Sequence, residues 1–176
     1  MRNKEQQLEE KSTVTSSQFL TFYLAEERYA IDVLKIQEVL EVPRITRVPR
    51  MPDFISGVIN LRGTVIPVMD IRLKFGLGKT PITEKTSIVV IELSVLFSDG
   101  ERSLLQVGLF SDLVDQVVDI PLANIEAPPE IGTAIDTSFI QGMGKIGDEF
   151  ILLLKLDSLL SEQDLFNITE NGGPSL

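Results

Sequence analysis

The side chains available for chemistry in this sequence are mainly carboxylates, lysines, hydroxyls and two tyrosines, because Cys, His and Trp are all absent. A chain without them has no thiolate nucleophile, no histidine-based triad, no Cys/His zinc site and no imidazole general base. We therefore expect no catalytic residues and no metal site. The composition favours a binding protein over an enzyme.

Two glycine-containing segments match nucleotide-binding patterns in their letters but not in their context. Gly142–Gly147 has the G-x-G-x-x-G spacing, which requires a following helix whose first amides meet a pyrophosphate. Phe150–Leu154 follows instead and is typical of a strand, so Gly147 is predicted to form a hairpin turn. Gly78-Lys79-Thr80 resembles the end of a P-loop, but Leu73 stands where the first glycine is needed. We expect no cofactor.

Arginines beside apolar residues suggest recognition of another molecule. Arg62 lies at a predicted hairpin tip near Asn60, where a guanidinium can pair with a partner's carboxylate or remain solvated. The segment 43–52 alternates three arginines with Ile45, Val48 and Met51 around three prolines. Prolines at these positions prevent a regular helix. The apolar side chains must then pack under a loop or face a partner.

Most of the chain is predicted to form short strands separated by Gly and Pro, which indicates an all-β fold built as a sandwich or as small barrels. Asp32 is expected to cap a single helical turn, and Asp70 to precede a short helix. A second helix is predicted after Asp157, with Leu159, Leu160 and Phe166 on its apolar side. The predicted strands are Phe19–Leu24, Tyr29–Ile31, Gln37–Val42, Gly57–Leu61, Thr64–Met69, Thr86–Leu93, Leu104–Phe110, Asp112–Ile120, Phe139–Ile146 and Glu149–Leu156.

Two pairs of segments repeat one another along the chain. Phe54–Gly57 resembles Phe139–Gly142 at an offset of 85 residues, and the hairpins that follow stay in register. Glu38–Pro43 resembles Gln116–Pro121 at an offset of 78 residues. Hairpins resemble each other in general, but the second match needs no hairpin. A duplicated unit predicts two similar lobes, each too small to be very stable alone, that share a core.

Length and charge bound the remaining possibilities. The 176 residues carry a net charge of −10, which opposes nucleic-acid binding, because phosphate contacts need clustered positive charge. Residues 1–17 are polar and are expected to form a disordered tail, with a flexible tail at residues 166–176. The apolar runs are too short to cross a bilayer, so we expect a cytoplasmic protein without direct membrane insertion.

The sequence resembles the CheW family of chemotaxis coupling proteins over residues 18–165. The resemblance is carried by the Asn-Leu-Arg-Gly segment that ends at Gly63, by Ile-Pro-Val-Met-Asp at residues 66–70, and by Phe139–Gly144. It implies two SH3-like, five-stranded β-barrel lobes side by side, with a short C-terminal helix. It also implies a non-enzymatic adaptor that joins methyl-accepting chemoreceptors to the histidine kinase CheA.

The resemblance further implies which residues touch each partner. The cytoplasmic receptor tip would bind the groove between the lobes near Val33, Ile36 and Glu38, with Asn60 and Arg62 at its lip. The regulatory domain of the kinase would contact Ile45 and Val48 at one end, with Glu130 and Ile131 meeting another kinase domain at the other. Other CheW-like domains would join the same rings.

Two other functions remain open at this point. One is a CheW-like adaptor of a non-flagellar signalling array. The other is a β-barrel enzyme or small-ligand binder that uses carboxylates or Lys145 in a cleft between the lobes.

Overall fold

A computed structural model describes residues 16–128 and 137–170 of the chain. Strands dominate this part of the chain, which confirms the predicted all-β fold. The strands are β1 Ser16–Leu24, β2 Glu27–Asp32, β3 Ile36–Glu41, β4 Ile55–Leu61, β5 Thr64–Met69, β6 Ser87–Leu96, β7 Arg102–Ser111, β8 Leu113–Pro121, β9 Ile125–Glu126, β10 Ile140–Ile146 and β11 Glu149–Leu154. The α-helices are α1 Ile71–Lys74 and α2 Glu162–Glu170, with single 3-10 turns at Val33–Lys35, Leu122–Asn124, Thr137–Phe139 and Leu156–Ser158.

The strands form two sheets, one in each lobe. The first lobe has five strands in the order β3-β6-β7-β5-β4, all from residues 36–111. The second lobe has the order β8-β1-β2-β11-β10-β9, so its central hairpin β1–β2 comes from the start of the chain. The two lobes are as predicted, but one of them is assembled from both ends of the described chain.

The sheet topology supports the internal repeat. Hairpins β4–β5 and β10–β11 correspond, and each has a register shift at the same repeat position, between Ile55 and Gly57 and between Ile140 and Gly142. Strands β3 and β8 also occupy equivalent places at the edges of their sheets. The matches at offsets of 85 and 78 residues therefore both join structurally equivalent elements.

Each barrel is closed by the chain that follows its edge strand. Thr46 forms an isolated bridge with Val58 of β4 in the first lobe. In the second lobe the two-residue strand β9 pairs with β10 at Met143. The sixth strand of the second sheet is thus the counterpart of the Thr46 bridge, and the expected five-stranded barrel is present with one short addition.

Apolar side chains are divided among two small barrel interiors and one larger core shared by the lobes. Strand β6 is buried on both faces, since Ile88 and Val90 point into the first barrel while Val89 and Ile91 point into the shared core. The first interior contains Ile59, Ile66, Val68, Ile88, Val90 and Phe110, and the second contains Phe19, Ala30, Ile120, Ile151 and Leu153. The predicted shared core is therefore the main contact between the lobes.

Polar contacts also join the lobes at the start of β8. The Asp112 carboxylate accepts hydrogen bonds from the Ala25 N–H at 2.6 Å and from Nη1 of Arg72 at 2.9 Å. Ala25 belongs to the β1–β2 turn and Arg72 to α1, so one carboxylate connects both lobes. Charge-assisted hydrogen bonds of this kind fix geometry as well as adding energy.

Asp32 and Asp70 each precede a helical segment, as predicted, but they use their carboxylates differently. Asp32 accepts from the Leu34 N–H at 2.9 Å, as predicted. Asp70 makes no side-chain cap; its buried carboxylate instead accepts from the Thr80 N–H and hydroxyl, at 2.9 and 2.7 Å. Burial explains this choice, because a buried carboxylate needs several donors.

The C-terminal helix begins and ends later than predicted. Ser161 and Asp164 form a reciprocal capping box, in which each side chain accepts the backbone N–H of the other, at 2.9 and 3.1 Å. Leu159 and Leu160 precede the helix, and Phe166 on it is exposed. Ile168 is fully buried, so the expected tail boundary at residue 166 is wrong for residues up to Glu170.

No helix in the described part of the chain is long and apolar enough to cross a membrane. Among the same residues, no group of three or more acidic side chains could hold a metal ion.

Candidate functional site

The tip of the β4–β5 hairpin is a two-residue turn built by Arg62 and Gly63. Both residues have positive φ, 54° and 86°, which matches the mirror-image turns preferred in hairpins. The Asn60 side-chain oxygen accepts the Gly63 N–H at 2.9 Å and stabilises the turn. Asn60 thus has a structural task that the sequence reading did not assign, while Arg62 projects outward.

The Arg62 guanidinium is weakly held by its own chain. Its Nη2 lies 3.5 Å from the Glu38 carboxylate of β3, and the arginine side chain is 81% exposed. An exposed ion pair of this kind contributes little to stability. The structure therefore brings Glu38 and Arg62 together and leaves the cation available for another carboxylate.

Only part of the side chains of Val33 and Ile36 is exposed to a binding partner. Both are partly buried and pack against the shared core. Leu34, between them, is 88% exposed, and sequence reasoning missed it. Its exposure follows from the 3-10 geometry, because three residues complete one turn and one of three consecutive side chains must face away from the core.

Two neighbouring cavities lie beside these residues on the outer surface of the first lobe. One has a volume of about 430 Å³ and is lined by Gln37, Glu38, Leu61, Arg62, Thr64 and Gln106. The other, of about 290 Å³, is lined by Thr64, Val65, Glu92, Leu104, Leu105 and Gln106. We call their combined lining the hairpin surface. Thr64 and Gln106 belong to both cavities, so the two are continuous.

A series of side-chain hydrogen bonds crosses the hairpin surface and joins two glutamines to a glutamate. The Gln106 side-chain NH2 donates to the Gln37 oxygen at 2.5 Å, and the Gln37 NH2 donates to Glu92 at 2.7 Å. These side chains come from β7, β3 and β6, which the barrel brings together although they are far apart in sequence. No local pattern could have predicted their grouping.

The residues expected at the kinase end occupy two different settings. Ile45 is half-buried against the first barrel interior and lies under the bridge at Thr46. Val48 lines a cavity of about 590 Å³ together with Arg47, Met51 and Lys79. We call the lining of this cavity the loop surface, which is completed by Pro49, Arg50, Pro52, Asp53, Ile55 and Ser56. Glu130 and Ile131 lie outside the described residues.

Two glycines of the G-x-G-x-x-G segment allow close packing, and the third forms a turn. A Cβ at Gly142 would lie 2.9 Å from the Glu126 carbonyl oxygen, and one at Gly144 would lie 2.9 Å from the Ile120 side chain. Gly147 adopts a φ of 60° in the β10–β11 turn, as predicted. Strand β9 and the second barrel interior therefore account for this pattern.

Two barrels fused through a common core, with open surfaces of mixed polarity, define a protein-interaction module. The model of the CheW-like domain matches residues 18–164. The chain is 34% identical to the chemotaxis protein CheW of Klebsiella aerogenes, over 84% of each chain, and 30% identical to that of Helicobacter pylori, over 82% of each. The crystal structure of the scaffolding protein TtCheW from Thermoanaerobacter tengcongensis superposes with a TM-score of 0.72 at 36% identity, covering 84% of this chain and 90% of that one.

The chain belongs to the CheW-like family. It is accordingly a chemotaxis adaptor of the scaffold type and not an enzyme.

Proposed function

We propose that this adaptor joins the cytoplasmic tips of methyl-accepting chemoreceptors to the regulatory domain of the histidine kinase CheA. The receptor tip binds the part of the hairpin surface around Glu38 and Arg62, together with Leu34 and the exposed parts of Val33 and Ile36. The kinase domain binds the loop surface. Recruitment to membrane-associated arrays then follows from receptor binding.

The observation that carries the proposal is the placement of the two surfaces at opposite ends of β4. Ile55 and Ser56 at its start line the loop surface, and Leu61 at its end lines the hairpin surface. Six steps of about 3.4 Å along an antiparallel strand separate these ends by about 20 Å. The two cavity linings share no residue, so two partners fit without displacing each other.

The chemistry of the hairpin surface suits a receptor helix. Amphipathic helices dock through an apolar stripe and are oriented by a few polar anchors. Leu34 and the exposed parts of Val33 and Ile36 provide apolar contacts, and Arg62 provides a cation for an acidic residue of the helix. Asn60 lies at the rim, where its side chain keeps the hairpin tip in place.

The chemistry of the loop surface suits a different kind of contact. Val48 and Met51 line this cavity together with the cations Arg47 and Lys79, a combination that fits an apolar side chain accompanied by carboxylates. Ile45 supports the loop from below. In rings with the kinase and with other CheW-like domains, Glu130 and Ile131 form the contact of the second lobe.

Binding measurements with two variants test the proposal. Arg62→Ala is expected to weaken binding of a purified receptor-tip fragment and to leave binding of the kinase regulatory domain unchanged. Val48→Asp is expected to do the reverse, because it places a carboxylate in the apolar part of the loop surface. Loss of both partners in either variant, with the fold intact by circular dichroism, would refute two separate surfaces.

A further inference from the structure

We propose that the projecting part of the β6–β7 hairpin lengthens the receptor-binding groove, with Leu104 and Val65 as its distal apolar contacts. The occupant is a receptor helix that reaches beyond Arg62 by one to two additional turns. This inference rests on the proposed receptor binding and specifies how the helix lies on the hairpin surface.

The β6–β7 hairpin extends past the body of the first barrel. Strand β3 pairs with β6 only over Ser87–Ile91, and β5 pairs with β7 only at Gly108 and Leu109. The two strands continue to pair with each other as far as Leu96 and Arg102. Among the described residues, the outer half of the hairpin therefore has no neighbouring strand on either edge, and the face that carries Leu104 is available for a partner.

One face of this projection carries the proposed contacts. Side chains alternate between the two faces of a strand, so Leu105 and Val107 point into the shared core while Leu104 and Gln106 point the other way. Leu104 is 69% exposed, and Val65 beside it on β5 is 37% exposed. The fold gains little from a leucine at such a position, which makes it a candidate for contact with another molecule.

The projection is continuous with the surface around Arg62. The cavity lined by Val65 and Leu104 shares Thr64 and Gln106 with the cavity lined by Arg62. A helix laid along both cavities would pass over the cation first, then over the amides of Gln37 and Gln106, and finally over Leu104. The groove thus has a polar end and an apolar end.

The spacing of this surface matches a helix. Val65 and Leu104 lie on neighbouring strands of one sheet, which are about 5 Å apart where they pair, and residues i and i+4 of a helix are about 6 Å apart along its axis. Successive apolar residues on one helix face can therefore meet Val65 and Leu104 in turn. The order of groups on the surface requires an acidic residue near Arg62 and apolar residues one to two turns further along the helix.

The test is calorimetric titration of the full-length chain with a two-helix receptor-tip fragment. Leu104→Ser is expected to weaken binding about five- to tenfold, through loss of buried apolar area, while Leu104→Met retains it. Leu122→Ser is the matched control, since Leu122 is 47% exposed in the second lobe and is expected to leave binding unchanged. Thermal melting verifies that each variant is folded.

The outcomes separate this inference from the proposed function. Weakening by Arg62→Ala and by Leu104→Ser, but not by Leu122→Ser, supports the extended groove. Weakening by Arg62→Ala alone overturns the extension and leaves receptor binding intact. Failure of the unmodified chain to bind the fragment overturns both. A fragment shortened by two helical turns at the apolar end is expected to lose its sensitivity to Leu104→Ser, and sensitivity that persists would contradict the proposed direction of the helix.

Discussion

The guanidinium of Arg62 projects from a turn whose geometry is maintained by other groups. Asn60 and Gly63 form the hydrogen bond that stabilises the hairpin tip, and the pair with Glu38 is exposed to solvent. Arg62→Ala is therefore expected to change the melting temperature by less than about 2 °C. If the variant melts much lower in a calorimetric scan, Arg62 is structural.

Arg62→Lys is a separate test of how the cation recognises its partner. A lysine keeps the charge but loses the planar fork that pairs with a carboxylate at two points. Binding of the receptor fragment is expected to fall for Arg62→Lys as well, though less than for Arg62→Ala. Equal binding by arginine and lysine would show that only the charge matters.

Gly57 is required by the close approach of the chain that closes the first barrel. A Cβ there would lie 2.3 Å from the Thr46 carbonyl oxygen, and its φ is +148°. Gly57→Ala is expected to lower the free energy of unfolding by about 2–4 kcal/mol, measured by urea denaturation. Gly78→Ala is the control, because its φ of +85° adds strain without a neighbour within 4 Å. Similar losses in both variants would attribute the effect to backbone strain alone.

The sequence predicted individual residues at turns and caps better than the residues that form the binding surfaces. It placed Arg62 at a hairpin tip and Asp32 at a cap, because those signals are local. It missed Gln106, which lines a cavity with Glu38 only in the folded barrel, and Leu104, which lines the neighbouring cavity. It placed a short helix after Asp70 correctly, but it gave no sign that the Asp70 carboxylate would bind Thr80, which is ten residues away and buried with it.

At the level of elements, helix α2 depends on the capping box at its start. Burial tends to raise the pKa of the Asp164 carboxyl, but the hydrogen bonds from Ser161 and the ion pair with Lys74 outweigh this and lower the pKa below its ordinary value of 3.8. A carboxyl with a lowered folded pKa stabilises the fold above its unfolded pKa, and this contribution is lost as the pH falls through the folded value.

The lowered pKa of Asp164 predicts how the stability of the fold depends on pH. As the pH falls below about 4, the free energy of unfolding of the unmodified chain is expected to decrease more steeply than that of Asp164→Asn, which cannot titrate at this position. Denaturation at a series of pH values provides the comparison. Parallel stability curves for the two proteins would show that the Asp164 carboxylate contributes nothing to the acid sensitivity of the fold.

The last turn of α2 anchors the C-terminal end of the described chain to the shared core. Ile168 is fully buried, so Ile168→Ala is expected to cost about 2–4 kcal/mol in denaturant unfolding. The same substitution at Ile82, which is 57% exposed, is expected to cost less than about 1 kcal/mol. Equal effects at the two positions would contradict docking of the helix end.

The sequence did not reveal this helix boundary because its strongest local signal was misleading. Leu159 and Leu160 follow Asp157 as in a capped amphipathic helix, yet they are buried before the helix begins. The capping box at Ser161 and Asp164 was present in the sequence and was overlooked. The strand hairpins were predicted well, because their apolar runs and turn residues are contiguous.

At the scale of the whole molecule, the two lobes are joined by more than a linker. The second lobe takes β1 and β2 from the start of the chain, and these strands pack against β6 and β7 of the first lobe through the shared core. The repeat in the sequence predicted two lobes and a shared core. The repeat could not predict that β1 and β2 join the second lobe, because strand pairing between distant segments leaves no periodic signal.

Such an arrangement predicts that the lobes unfold together. Val39 and Val117 are equivalent in the repeat, and both are exposed, one in each lobe. Val39→Trp and Val117→Trp each introduce a single tryptophan into a chain that has none. Their fluorescence is expected to report the same urea midpoint and the same slope. Two distinct midpoints would show that the lobes are independent.

We expect this scaffold to bind a receptor tip and a kinase regulatory domain at the same time, through surfaces at opposite ends of β4. The most direct test measures the affinity for the kinase domain with the chain free and then saturated with the receptor fragment. We expect a ternary complex to form and the affinity for the kinase domain to stay equal or increase. Competition, with the kinase domain displacing the receptor fragment, would contradict it.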